Sequence, residues 1–455
     1  MRRSATPTPA AADSAHETAQ LRQGLRTLTG FVTALPLEKL ARQAGFCRRR
    51  AKKLSPLLFL QASVLLLSQG AVSLRRWAIL VGLLGKLTLS KQALWERLTV
   101  RAAAFLQAVL AACIGRVAQP PDRPLPAALR HFGRVLLQDS TTLKLSARLA
   151  AFFPGSANQR GAKSGQLKIQ SIYDLVSQRF VAFGLSGFRR NDQAAAGDVL
   201  SVLRPGDLVL RDLGYFVVRS LEEIQQAGGF FLSRLRLDTS LWDASGHKPL
   251  DLLKRLRRHG QLDRAVRLGQ EHKLAVRLVA VKLPAAVAAE RRRRAKQNRD
   301  RRCRPNARHL ALLGWAIFIT NVPREKMSAR AVAQVYGLRW RVETIFKAWK
   351  SHFRLTEVPC GGAMALEAMI YARLIFVTVL ARACGQGWLG PWRPEAPPPR
   401  SLLKVAALVG DYVLVLCVQA WGKDLRRSWL LQLRYHTAYE RRTRIAFPEK
   451  LMKLS

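Results

Sequence analysis

The stretch Tyr336-Gly-Leu-Arg-Trp-Arg-Val-Glu-Thr-Ile-Phe-Lys-Ala-Trp-Lys350 sets one carboxylate among bases and a phenol. Read as one helix, its steps of three, four, four and three residues stack Tyr336, Arg339, Glu343, Lys347 and Lys350 along a single stripe. Such a stripe suits a helix that holds a metal ion and grips phosphate from the same face. The same spacing also describes a solvated face with an Arg339–Glu343 pair one turn apart, so it needs partners to carry meaning. Two acids supply them. Asp139 lies mid-strand in RVLLQDSTTLKL, after an apolar run, and Asp212 ends the buried stretch GDLVLRD before Leu213-Gly214-Tyr215. In open α/β sheets, ligand sites gather at strand ends. Three carboxylates in one place repel unless cations neutralise them. Magnesium fits, because it takes few carboxylates and fills its shell with water and phosphate oxygens. Two such ions about 4 Å apart would clamp the attacking and leaving oxygens of a phosphoryl displacement.

Other chemistries find no support in the residues. The histidines form no HExxH pattern, and neither GxxxxGK[ST] nor GxSxG occurs. Asp198, on a surface helix, and Asp207, in a Pro-Gly-Asp turn, read as solvated acids. The six cysteines are scattered without zinc spacing, which points to reduced thiols in a cytoplasmic protein. The net charge is +47, from 76 Lys and Arg against 29 Asp and Glu, and it runs along the whole chain. Such an excess calls for a polyanion, and nucleic acid is the obvious one. With 49% hydrophobic residues the chain can bury a large core, unlike a short ribosomal-type protein.

Residues 1–20, rich in Ala, Thr and Pro, read as a disordered tail, and 21–128 as a helical domain. Leu57–Leu67 is a buried helix. Ser73–Leu98 reads as a helix, a Gly-containing turn and a second helix capped by Ser90. As a helix-turn-helix this would aim Lys91, Gln92 and Arg97 at DNA, and it is equally an ordinary helical hairpin. Gln119–Pro126 is a linker. From 134 the order is β-β-β-α-β-α-β, a mixed sheet, with a hairpin around Val176-Ser177-Gln178 and a helix capped by Ser220. Residues 236–310 break this rhythm with short strands, notably Leu274–Lys282, and the basic run Glu290–Arg304, a solvated loop or one that meets DNA. Gly314–Thr320 is a strand, and Ser328 caps the long helix that carries Glu343. Leu366–Ala383 and Val405–Trp421 read as buried helices, the second interrupted by Asp411 and Gln419 and shorter than the ~20 residues of a span, so no membrane is expected.

The spacing Y-x2-R-x3-E-x6-K at Tyr336, Arg339, Glu343 and Lys350 resembles the YREK signature of the IS-four family of bacterial DDE transposases. The Asp212–Tyr215 element and the strand around Asp139 match the family's other two blocks. The resemblance covers about 130–365 well, and the helical ends in general layout only. Asp212 follows Asp139 by 73 residues (212 − 139), and Glu343 follows by a further 131 (343 − 212), a gap that fits a β-rich insertion. The resemblance implies an α/β fold: a ribonuclease-H-like catalytic domain at 129–365 with its basic insertion at about 236–310. Flanking it would be a helical N-terminal DNA-binding domain and a helical, dimerising C-terminal domain at 366–455. It also implies that Asp139, Asp212 and Glu343 are catalytic ligands of two Mg2+ ions, with Mn2+ as a substitute. Tyr336, Arg339 and Lys350 would hold the DNA backbone, with Lys347 beside them and Trp340 packed on DNA. Trp315, before the signature helix, would stack on a flipped base in a hairpin intermediate, or fill a core position as strand tryptophans do. Leu213 stands where relatives often carry a polar or basic residue.

The expected activity is cut-and-paste transposition. The protein would bind terminal inverted repeats of double-stranded DNA, cleave through a hairpin and join the ends to target DNA, as a homodimer at the bacterial nucleoid. A same-fold nuclease that cuts without joining, and a transposase-derived repressor without catalysis, are the rivals. The intact acids argue against the repressor.

Overall fold

The computed structural model describes residues 9–30, 35–47, 54–67, 73–85, 89–115, 126–156, 164–297, 304–352, 362–389 and 400–417. Nine strands form one sheet: β1 (Val135–Leu145), β2 (Gly165–Asp174), β3 (Arg179–Gly187), β4 (Leu208–Arg211), β5 (Phe230–Arg234), β6 (Leu241–Trp242), β7 (Leu262–Leu268), β8 (Leu274–Lys282) and β9 (Trp315–Thr320). Their order is β3-β2-β1-β4-β5-β9-β8-β7-β6. The first three strands meander antiparallel, and β4 and β5 then join parallel to β1. This is the mixed sheet expected of a ribonuclease-H-like core. The inserted strands do not form a separate unit. They extend the same sheet antiparallel beyond β9, through β8 and β7 to β6.

Alternation sets the two faces of the sheet. Val135, Leu137, Leu208 and Leu210 point to one core, and Leu136 and Val209 to the other. The first face is covered by helices from both ends of the chain: α1 (Pro9–Gly30), α2 (Leu37–Gln43), α3 (Pro56–Leu67), α4 (Leu74–Gly85), α5 (Lys91–Trp95) and α6 (Val100–Gly115) from the beginning. The opposite face carries α7 (Val218–Gln226) and α8 (Leu252–His259), with α9 (Ala285–Lys296) and α10 (Ala307–Leu312) following in the insertion. Then come α11 (Ala329–Gly337), α12 (Trp340–Ser351), α13 (Ala363–Ala383) and α14 (Leu402–Cys417), all four on the first face.

Several expectations are corrected. Residues 9–20 belong to α1, a helix favoured by its alanines, and not to a tail. The helices at the two ends are one layer and not two domains: α13 lies against α1, α3 and α6, and α14 against α12 and α3. The described part of the C-terminal segment therefore packs on the rest of the chain. By length and composition α13 passes for a membrane span, yet 78% of its most apolar window is buried in the protein. Ser90 does cap α5, accepting the Ala93 N–H at 3.1 Å, but that helix stops at Trp95, well before Leu98. Ser220 caps nothing. It lies inside α7, which starts at Val218, and its hydroxyl joins Arg211 to the Ala196 carbonyl. Half of the basic run is helix, since Glu290 on α9 pairs with Arg293 and Arg294 one turn on; residues 298–303 lie outside the described residues, as does most of the linker at 119–126. Asp207 is 1% exposed and not solvated, held by two bonds from Arg134 at 2.5 and 3.1 Å.

Candidate active site

β1 and β4 run parallel in the register Gln138 to Arg211, so the next residues, Asp139 and Asp212, stand side by side. Asp139 follows Leu137 by two and faces the helical layer. There α12 crosses β1 and brings Glu343 over it. Ser328 caps the approach, accepting the Ala331 N–H at 3.2 Å. The expected long helix is broken, however. Around Leu338 and Arg339 the bonds tighten to i→i−3, with Leu338 N to Val335 O and Arg339 N to Tyr336 O both at 3.0 Å. Gly337 is a weak helix former, and Leu338 and Val342 are drawn into the core on either side of the joint. The break turns Arg339 inward, to 10% side-chain exposure, so the single polar stripe becomes an inner pair and an outer face. Tyr336 is half-buried against Phe318, while Trp340, Lys347 and Lys350 are exposed.

All three acids meet at the Arg339 guanidinium. Its Nη2 donates to Glu343 Oε1 at 2.5 Å, its Nη1 reaches Asp139 Oδ2 at 3.4 Å, and its Nε lies 4.0 Å from Asp212 Oδ1. Burial raises the Asp139 carboxyl to about 6, opposed by the Ser140 N–H and Arg339 and assisted by Asp212 and Glu343. Burial works against the charge of Arg339, but the acids, Asp212 foremost, hold its pKa above the ordinary value. Burial also pushes the Tyr336 phenol up to about 12. Tyr336 Oη and Arg339 Nε are both buried without a hydrogen-bond partner.

As the side chains stand, no group of three His, Cys, Asp or Glu among the described residues is close enough to hold a metal ion. The donor set nevertheless fits a divalent cation. It is all carboxylate oxygen, and at Asp139 the charges of Asp212 and Glu343 add to the burial that raises its carboxyl, an effect a cation would reverse.

A second tier supports Asp139. Its Oδ1 accepts the Ser140 N–H at 2.8 Å, and Ser140 Oγ donates to Asp192 at 2.7 Å. Asp192 also takes Lys168 at 2.8 Å and Gln170 at 3.3 Å, and Tyr215 donates to Gln170. Burial alone would raise the Asp192 carboxyl, yet the bonds from Lys168 and Ser140 hold it below its usual range. A Cβ on Gly214 would sit 3.0 Å from Asp192 Oδ2, which accounts for the glycine of the Asp-x-Gly-Tyr element. Sequence reasoning missed Asp192, because it lies in an irregular turn after β3 where no periodicity marks it.

Trp315 opens β9 as expected, half-buried, its Nε1 donating to the Gly260 carbonyl at 2.7 Å. It lines a cavity of about 520 Å³ with Leu213, Arg234, Arg236 and His309, directly beyond Asp212. Arg234 and Arg236 carried no signal in the sequence beyond charge. Lys91, Gln92 and Arg97 are exposed in the helical layer, where α5 packs on α4, and are not brought to the acids.

The family model described as "Transposase DDE domain" matches residues 130–379. The chain is 28% identical over 367 residues to the transposase for insertion sequence element IS231B of Bacillus thuringiensis subsp. berliner, covering 75% of this chain and 76% of that one. It is 26% identical over 265 residues to the transposase for insertion sequence element IS1151 of Clostridium perfringens, covering 54% and 56%. A cryo-EM structure of the piggyBac transposase synaptic complex with hairpin DNA aligns over 92% of this chain and 86% of its own, at TM-score 0.42 and 9% identity. The family match starts ahead of β1, takes in Asp139, Asp212 and Glu343 and runs into α13, so the chain belongs to the DDE transposases of bacterial insertion sequences, metal-dependent enzymes of DNA cleavage and transfer.

Proposed function

We propose that this chain is a cut-and-paste transposase that binds the terminal inverted repeats of its element in double-stranded DNA, cleaves the ends and joins them to target DNA. The observation that carries this reading is the meeting of Asp139, Asp212 and Glu343, from three separate elements, around one buried guanidinium. The three acids would hold two Mg2+ ions, with Mn2+ as a substitute. Divalent cations there would neutralise charge that builds on the scissile phosphate. Arg339 Nε and Tyr336 Oη each have a hydrogen bond to give, and a phosphate oxygen is the natural acceptor beside the acids. Trp340, Lys347 and Lys350 form the outer face of α12 and would track the same backbone. In the helical layer Lys91, Gln92 and Arg97 would contact the repeat.

Cleavage through a hairpin fits the cavity beyond Asp212. Trp315 and its arginine neighbours would receive an extruded base there, relieving the tight bend. A homodimer bringing two ends together, acting on nucleoid DNA in the cytoplasm, completes the reading. The test is cleavage of a labelled duplex bearing the element's own terminal repeat, with Mg2+, by wild type and Glu343→Gln. Hairpin-ended product from the wild type alone supports the proposal. Nicked product with no later strand transfer favours a nuclease. Binding without cleavage in both proteins, on a two-ended substrate, favours a repressor. Trp315→Ala should spare nicking and impair the hairpin steps; equal loss of both would assign Trp315 to the core.

A further inference from the structure

We infer that Arg339 is an internal competitor for the catalytic cations: its guanidinium lies among the three acids, and a DNA phosphate must draw it out before divalent ions load fully. This rests on the reading of Asp139, Asp212 and Glu343 as the cation site.

The geometry is that of a substitute ion and not of a fixed joint. One guanidinium is shared among three carboxylates, at 2.5 Å from Glu343, 3.4 Å from Asp139 and 4.0 Å from Asp212. Only the first is a short bond, and Nε, the atom nearest Asp212, makes no hydrogen bond. Arg339 is therefore bonded to Glu343 and only approaches the other two acids. The joint between α11 and α12 puts it there, because the i→i−3 turn at Leu338 and Arg339 directs the side chain inward. A divalent ion among the same oxygens would lie close to the guanidinium, and like charges at that separation repel. Either the cation stays out or the guanidinium leaves.

DNA supplies a reason to leave. A phosphate set beside Tyr336 Oη offers the guanidinium a bidentate acceptor. Moving Arg339 onto phosphate uncovers the acids, so DNA and divalent ions assist each other's binding, and that assistance is reciprocal. The site is thus completed on DNA.

The experiment is Mn2+ binding to the full-length protein without DNA, followed by calorimetry and by the spin resonance signal of free Mn2+. It compares wild type, Arg339→Gln, Arg339→Lys, Glu343→Gln and Arg219→Gln. Arg219 is an exposed arginine on α7 that controls for loss of one charge. Arg339→Gln should bind Mn2+ about tenfold more tightly than wild type, Arg339→Lys by less, and Arg219→Gln should match wild type. A duplex bearing the terminal repeat should tighten Mn2+ binding in wild type and much less in Arg339→Gln. Thermal unfolding guards against a folding defect: Arg339→Gln should melt below wild type without Mn2+ and recover on its addition. Equal or weaker Mn2+ binding by Arg339→Gln, with Mn2+ still bound by wild type and lost in Glu343→Gln, overturns the inference and leaves the cation site standing. Failure of every protein to bind Mn2+, with or without DNA, removes both.

Discussion

An arginine on the sheet and one on the helices above it sit in opposite balances of charge. Arg277, on β8, bonds through all three nitrogens: Nε and Nη2 donate to Asp263 at 2.7 and 2.8 Å, and Nη1 donates to the carbonyls of Val322 and Met327 at 3.3 and 2.7 Å. Arg324 brings a second guanidinium to Asp263, its Nε 3.3 Å away. One acid there serves two bases, and the bond from Arg277 is the first cause that holds the Asp263 carboxyl below its usual range. At Arg339 one base serves three acids, one nitrogen, Nε, makes no hydrogen bond, and Asp139 is pushed up to about 6. The first cluster is satisfied and ties the inserted strands to the turn before α11. The second lacks positive charge, and a lack of that kind marks chemistry because structure alone gains nothing from it. Burial of the central arginine does not separate the two, at 9% and 10% side-chain exposure; the ratio of acids to bases does.

Substitutions should therefore split the clusters. The largest effect is expected for Asp139→Asn, which should lower cleavage of a terminal-repeat duplex by roughly a thousandfold or more. The same change relieves a crowded group of acids, so the thermal midpoint should stay level or rise. A fall in midpoint matching the loss of activity would make Asp139 a structural acid like Asp263. Next comes Arg277→Met, expected to cost about 3 kcal/mol of stability by leaving a partly buried carboxylate to Arg324 alone and two carbonyls without their donor, with the cleavage rate per folded molecule unchanged. Denaturant unfolding beside active-fraction assays reads both. Loss of rate without loss of stability would move this cluster into the catalytic machinery.

How much of this could be read before the fold? The acids on β1 and after β4 were legible, because a carboxylate set against a buried apolar strand is costly unless it has work to do there. Leu274–Lys282 matched β8 to the residue, and the strand read at Gly314–Thr320 became β9 from Trp315 on, because β-branched alternation bounded by turns is a local signal. What failed depended on contacts distant in sequence. The break at Leu338 answers to packing on both sides of it, which helical spacing does not encode. The single layer formed by α13 with α1, α3 and α6 joins segments more than 200 residues apart, and an apolar helix does not name its partners. Asp192 is meaningful only through Ser140 and Lys168, which reach it across the sheet. Asp207 read as solvated because a Pro-Gly-Asp turn resembles a surface turn; its partner Arg134 lies 73 residues away.

Acid should act on the satisfied cluster in a defined direction. The folded-state value of Asp263 is depressed, so its contribution to stability is present above the unfolded carboxylate value, about 3.9, and is lost as pH falls through the lower folded value. Wild type should therefore lose stability below about pH 4 by a margin that Asp263→Asn, already weakened at neutral pH, does not show. Parallel stability curves for the two proteins from pH 6 to pH 3 would mean that the Arg277 pair contributes no linkage.

The smallest effect belongs to a third pair, which sets the floor for the other two. Arg219 and Glu223 are one turn apart on α7 at 3.1 Å, with the arginine side chain 77% exposed. Water screens both charges, and holding two long side chains in one geometry costs rotamer freedom. Arg219→Gln should therefore change stability by no more than about 0.5 kcal/mol, and added salt should erase even that. This pair makes one bond of 3.1 Å where Arg277 makes two of 2.7 and 2.8 Å, so a near-zero result assigns the cost at Arg277 to its burial and paired geometry together and not to charge pairing as such. A loss approaching that of Arg277→Met would break the argument, because it would mean that an arginine–carboxylate contact stabilises this fold wherever it occurs. The three-to-one crowding at Arg339 would then no longer set a catalytic cluster apart from a structural one.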